Sequence, residues 1–412
     1  MTEELAVWRD QQRIGTLWTG EDGRTLGFRY VPGTPRAISN SLPLTAQSFA
    51  PKDEVAHHWF ANLLPEEMAR QALVSRLGVA DEDFALLGAI GGDCAGALRI
   101  VAPDTPEPTG AARLALDPAE LARWAEGKER YAPFHPQQPL RLSLAGAQDK
   151  LPVIRADGAL FLPLGSEASS HLLKFARKPA LIYNELYMNR LAQRAGLPVP
   201  ATSIGRAGKA CYLEVARYDR RQTPLEVERL HQEDFCQALG YPRRLKYQEE
   251  GGPSLADCTA LLRRVATMPG LQVRQLLRWQ LFNVLAGNSD GHAKNLSLLQ
   301  DADGRWELAP AYDLVCTRVL PYSPHLGFAV GSNFHPQELR KSDWHALAQA
   351  MGLAPPFVLR ELKAMLEVLE SAAHSEELKT ELLAAGLDES GWIQLQHLRK
   401  YVVQQCRRYR SL

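Results

Sequence analysis

The sequence predicts an α+β protein of two lobes, with an additional small α+β unit in front of them. Three observations predict it. Short apolar runs broken by glycine-containing turns dominate the chain up to about residue 230, the strand pattern, with few helical stretches among them. From about residue 231 onward, apolar residues recur at helical spacing. A proline- and turn-rich stretch, APDTPEPTG, separates the first hundred residues from the rest. At 412 residues the chain exceeds what one simple core holds. The expected division is 1–101, an N-terminal α+β subdomain; 102–138, linker and helix; 139–230, a strand-rich lobe; and 231–412, an all-helical C-terminal lobe.

The elements follow in order. RIGTLWTGEDGRTLGFRYV reads as two strands around a turn. DEVAHHWFANLLPEEMARQALVSRLG reads as one helix with Phe60, Leu63, Leu64, Met68 and Leu73 on its apolar side. FALLGAIGGDCAGALRIV closes the first unit. In 139–175, LRLSLAGAQDKLPVIR, ALFLPL and SHLLKFA read as strands. IYNELYMNRLAQRAG then has helical spacing and stops at Gly196, before Pro198. ATSIG and ACYLEVARYDR read as two further strands. LQVRQLLRWQLFNVLAG is the strongest helix, with Gly287 as its terminator. Several helices are expected over 341–409.

Composition excludes several classes. Lys+Arg and Asp+Glu balance at 47 each, so the chain as a whole is no polycation for coating nucleic acid. Its six cysteines are scattered, with no CxxC pair, which argues against a disulfide framework or a zinc site. The charged start MTEELAVWRDQQ has no apolar signal core, and no apolar run is long enough to span a bilayer. The expectation is a cytoplasmic protein without membrane contact.

Chemistry concentrates in LAGNSDGHAKNLSLL (285–299). A carboxylate that takes a proton from a hydroxyl must be held within hydrogen-bond reach of it, and Asp290 is a candidate. Asn295, five residues on, offers a neutral oxygen to a hard cation such as Mg²⁺, and Lys294 a charge for a transferring phosphoryl group. The plain alternative is a helix stop followed by a polar turn. WELAPAYDLV adds Asp313, a second candidate ligand for Mg²⁺ or an ordinary helix cap. Upstream, SLAGAQDK (143–150) has small residues at Ala145, Gly146 and Ala147, suited to backbone approach to phosphate or to a tight hairpin. Lys174 puts a charge in an apolar strand. It needs a phosphate, a partner such as Glu185, or an edge position facing water. In LEVARYDRR, the backbone at Ala216 and the ring of Tyr218 suit an adenine edge, or form a core strand ending in a charged turn.

Together SLAGAQDK, HLLKFA, VARYDRR with HQEDFCQALG, GNSDGHAKN and APAYDL resemble the HipA-type serine/threonine protein kinase toxins of bacteria. FANLLPE and GGDCAGAL resemble that family's N-terminal subdomain, so the resemblance spans nearly the whole chain. It implies a bilobal protein-kinase-like fold and ATP–Mg²⁺ chemistry. By that resemblance Asp290 is the catalytic base, and Asn295 and Asp313 hold Mg²⁺. The nucleotide contacts are Ala145, Gly146, Ala147, Gln148, Lys150, Lys174, Ala216, Tyr218, His292 and Lys294. Ser143 matches the autophosphorylated serine. The resemblance also implies a HipB-like helix-turn-helix antitoxin, which brings the complex to DNA, and a protein target such as an aminoacyl-tRNA synthetase. It departs at Ala216, where the family often carries an acidic residue. Two rival readings share most of these residues: a small-molecule kinase of the same fold class, and a catalytically silent partner of a repressor.

Overall fold

A computed structural model describes residues 3–105, 111–127, 134–135, 138–139, 150–165, 167–223, 227–301 and 303–410. The chain divides into two compact units. One comprises 1–177, 206–244 and 299–304, and the other 178–205, 245–298 and 305–412.

The first unit opens on an antiparallel sheet. Glu4–Arg9, Gln12–Thr19 and Leu26–Tyr30 run up and down, with Leu98–Val101 beside the first and Ser48–Phe49 beside the third. Gly15 lies under the Phe28 ring, which a Cβ would meet at 2.2 Å. Leu5, Val7, Leu17, Phe28, Trp59, Phe60 and Leu87 build the core here. Burying each of the larger side chains contributes roughly 1.5–3 kcal/mol.

The segment expected as one long helix is two, Val55–Ala61 and Glu67–Leu77. Pro65 falls between them, where a missing N–H and a fixed φ end helical pairing. As a result Met68 is 73% exposed instead of lining the core.

A second sheet sets Ala210–Ala216, His171–Phe175, Lys150–Ala156, Ala159–Gly165 and Ala111–Ala115 side by side in that order. The helix Pro118–Ala125, N-capped by Asp117, packs Leu121 and Trp124 with Leu151, Val153, Leu173 and Tyr212.

The second unit is built around the helix Pro269–Ala286. Its buried residues fall on all sides, as expected of a helix enclosed by others. Leu255–Val265, Pro355–Ala372 and Gln396–Tyr409 pack against it. Arg274 and Arg278 tie it to the buried Glu361 at 3.0 and 2.7 Å. The lobe expected to be all-helical also carries the short strands Ser297–Gln300 and Trp306–Leu308. Among the described residues no helix is long and apolar enough to cross a membrane.

Candidate active site

The polar stretch begins where the helix Pro269–Ala286 stops. Gly287 adopts φ +73°, a left-handed conformation that glycine reaches without strain, and its N–H closes on Asn283 O. The chain then turns on side-chain hydrogen bonds. Asn288 Nδ2 donates to Asn283 Oδ1 (3.0 Å), and Asp290 N donates to Asn288 Oδ1 (3.1 Å). Ser289 N donates to Thr317 Oγ1 (2.8 Å), whose own hydroxyl donates to Gly287 O (3.1 Å). The loop is therefore fixed from two directions, and Asp290 projects from it with 56% of its side chain exposed. His292 Nε2 lies 3.9 Å from Asp290 Oδ1.

Beyond Asp290 the chain sinks inward, and His292, Lys294 and Asn295 are all buried. Asn295 Oδ1 accepts from His292 N (3.2 Å), and Asn295 Nδ2 donates to Asp313 Oδ2 (3.4 Å). Asp313 has φ +57°. Aspartate is among the few residues that tolerate this region, and such outliers gather at functional sites. Tyr312 braces the pair from beside it, donating to Lys294 O (2.6 Å) and meeting Ser297 Oγ at 2.8 Å. Asp290, His292, Lys294, Asn295 and Asp313 thus form one constellation within the second unit.

The Asn295 amide oxygen and the Asp313 carboxylate are hard donors on neighbouring side chains, held together by Asn295 Nδ2 donating to Asp313 Oδ2. Such a pair fits Mg²⁺, which takes few protein ligands and completes its shell with phosphates and waters. Among the described residues no group of three or more His, Cys, Asp or Glu side chains is placed to hold a metal.

Lys150, Lys174, Ala216 and Tyr218 belong to the first unit; Ser143, Ala145, Gly146, Ala147 and Gln148 lie outside the described residues. Lys174 is not the water-facing edge lysine that one reading allowed. Its strand runs between two others, and the residue is 5% exposed. It stands directly opposite Lys150 in register, so both side chains leave the sheet on the same face. Glu185 is buried in the helix Pro179–Arg194 of the second unit. Ala216 ends its strand opposite His171, half-buried, and Tyr218 follows it, also half-buried.

The charges around Tyr218 do structural work. Arg217 grips Asp219 through Nε (2.9 Å) and Nη2 (2.7 Å), and Arg220 Nη2 donates to Asp93 Oδ1 (2.8 Å). Ser169 Oγ donates to Asp93 Oδ2 (2.6 Å), and Gly96 N donates to Asp219 Oδ2 (2.7 Å). All four charged side chains are buried. Burial pushes the Asp93 and Asp219 carboxyls up, but the guanidinium groups of Arg217 and Arg220 more than offset it and hold both below 3.8.

Sequence reasoning did not find Tyr247, whose hydroxyl donates to Asp290 Oδ1 and whose ring stands edge-on to His292 with centroids 4.9 Å apart. It also missed Thr317 and the glycine pair Gly291 and Gly327. A Cβ on Gly327 would lie 2.3 Å from Gly291 O. None of these carries a spacing signal toward Asp290.

Comparison with known proteins identifies the family. Residues 5–101 match the HipA N-terminal domain, and residues 142–375 the HipA-like C-terminal domain. The chain is 38% identical over 379 residues to "Putative kinase Y4mE" of Sinorhizobium fredii, covering 88% of this chain and 89% of that protein. It is 29% identical to "Serine/threonine-protein kinase toxin HipA" of Shewanella oneidensis, covering 85% and 83%. The solved Shewanella oneidensis HipA, in complex with HipB and operator DNA, superposes with a TM-score of 0.85 at 27% identity, covering 99% of this chain and 98% of that one. The mixed α/β, kinase-like fold with extra subdomains and the two matching domains place this chain in the HipA family of kinase toxins.

Proposed function

We propose that the chain is an ATP- and Mg²⁺-dependent protein serine/threonine kinase, the toxin partner of a HipB-like helix-turn-helix antitoxin. The observation that carries the reading is the constellation in the second unit. An exposed carboxylate, Asp290, leaves a pinned loop that continues into the buried Asn295, whose amide meets the half-buried Asp313 carboxylate.

Asp290 would orient the acceptor hydroxyl and take its proton, worth roughly 10²–10⁴ in rate. Asn295 and Asp313 would hold the metal. Lys150 and Lys174, opposed in register on one face of the sheet, would bring positive charge to the phosphates. Lys294 and His292 would flank the transferred group, with the loop Ala145–Gly146–Ala147–Gln148 over the phosphates and Ala216 and Tyr218 at the adenine. MgATP, when bound, supplies a γ-phosphoryl whose transfer spreads negative charge over its oxygens, so positioning and electrostatics do most of the catalysis.

Ser143 would be the site of self-inactivation. A phosphoserine of about −1.5 to −2 charges there would compete with ATP for the amides two or three residues on. The HipB and operator DNA bound by the Shewanella protein support the antitoxin partner and a DNA contact made through it. The proposed target is a translation component such as an aminoacyl-tRNA synthetase, met in the cytoplasm.

The test is transfer from γ-labelled ATP by the purified full chain. Asp290→Asn is expected to lower transfer about 10²–10⁴-fold with an unchanged melting temperature. Undiminished turnover in pure Asp290→Asn protein would overturn the reading.

A further inference from the structure

Tyr247 stands 43 residues before Asp290, yet its phenol donates a hydrogen bond to Asp290 Oδ1. The contact is built into the fold. Lys246 O accepts from Ala293 N (3.1 Å), inside the loop that carries Asp290. Gln248 N donates to Gly327 O (3.1 Å), and Gln248 Oε1 accepts from Ala329 N (3.0 Å). Tyr247 is therefore tethered on both sides, and its ring rests edge-on against His292.

We infer that Tyr247 is a positioning residue for phosphoryl transfer: it engages one oxygen of Asp290, so that the other, Oδ2, is the one presented to the acceptor hydroxyl. The inference rests on Asp290 being the base. An exposed aspartate on a turn samples several rotamers, and its two oxygens are equivalent until something distinguishes them. One fixed donor on Oδ1 removes both ambiguities, and supporting groups of this kind set how closely a base meets its substrate. A tyrosine acting as a removable plug would need a segment free to withdraw, whereas Lys246 and Gln248 hold this one in place. Beside the phenol, the His292 imidazole meets Asp290 Oδ1 from its own loop at 3.9 Å.

Tyr247→Phe keeps the ring and its contact with His292 while deleting the donor. In the full chain we expect kcat for phosphoryl transfer to fall about 10- to 100-fold, the loss expected for a hydrogen bond to a charged group, with KM for ATP unchanged. A donor to a carboxylate favours its charged form, so its removal should move the acid limb of the kcat–pH profile up by about one pH unit. Carbon-13 NMR titration of the Asp290 carboxyl should show the same upward move. A Phe variant with wild-type kcat and acid limb, or a faster one, overturns the inference; so does phosphate on Tyr247, which would make it an acceptor. If the wild type transfers no phosphate from ATP, the kinase reading fails separately. The Asp290 titration then decides: a raised midpoint in Tyr247→Phe upholds the hold on Oδ1, and an unmoved one refutes it.

Discussion

Replacing Gly327 by alanine tests how tightly the loop carrying Asp290 is held from behind. The glycine has no positive φ to protect, so the effect is steric alone. An added Cβ would lie 2.3 Å from Gly291 O, 2.7 Å from Gly291 C and 3.1 Å from His292 N. Non-bonded carbons settle at roughly 3.5 Å or more, and oxygens slightly closer, so one backbone must retreat by about 1 Å. The Gly291 side has little room. A Cβ there would stand 2.6 Å from Asn283 Nδ2 and 3.3 Å from Trp279, so the loop already lies against the helix Pro269–Ala286. The Gly327 side is held by Gln248 N on its carbonyl and by Gln280 Nε2 on Phe328 O (2.9 Å). The strain therefore divides between a loss of about 1–3 kcal/mol of stability and a displaced Asp290. A misplacement of about 1 Å can cost 10²-fold in rate. Urea unfolding and single-turnover transfer from labelled ATP read the two parts. Gly327→Ala protein that matches the wild type in both would refute the claim that this contact sets the loop.

Two further expectations concern the first unit. Asp219→Asn removes the nearer carboxylate from the buried Arg217 and leaves it Asp93 at 3.4 Å, which should cost up to about 3–5 kcal/mol in urea unfolding; a cost below about 1 kcal/mol would show that Asp93 alone satisfies the guanidinium. The pH dependence of stability has two limbs. Asp93 and Asp219 are held below 3.8, so their stabilisation is complete above about pH 4 and lost as pH falls further. Burial pushes the Glu233 carboxyl up to about 7 against its hydrogen bonds from Ser39, Trp59 and Asn40, so its contribution is complete below 4.5 and lost as pH rises through 7. Unfolding free energy should peak near pH 4–5, and Asp219→Asn should flatten the acid limb alone. A wild-type profile flat from pH 3 to 8 would contradict both assignments.

What was legible in the sequence is what local chain geometry closes by itself. The helix Pro269–Ala286 announces its end because a left-handed stop needs glycine and Gly287 is there. Asp290 and Asn295 lie five residues apart, so their proximity is a matter of local backbone. Of the three strands before residue 31, Gln12–Thr19 and Leu26–Tyr30 were readable from the glycine-containing turn between them, and Glu4–Arg9 was not. The helix broken at Pro65 was misread because the apolar spacing runs on through the proline. The amphipathic pattern describes which residues would face a core if the helix continued, and says nothing about whether it does. The supports of the site were not legible for a different reason. Tyr247, Thr317 and Gly327 reach the loop only through packing, and no residue type or period in the chain marks a phenol as the partner of a carboxylate 43 positions away. The same holds for Arg217 and Asp93, 124 residues apart. From sequence, VARYDRR reads as an adenine-facing segment or as a core strand ending in a charged turn. Burial converts Arg217, Asp219 and Arg220 into the joint that ties the second sheet of the unit to the first, through Asp93 and Gly96. A charge-rich turn identifies its role only when its partners are known, because a solvated face and a buried ion network use the same residues. In this chain the proposed reacting groups are local and the groups that pack against them are not. Substitutions at Tyr247 and Gly327 therefore test the fold's contribution to the chemistry, and Asp290→Asn tests the chemistry itself.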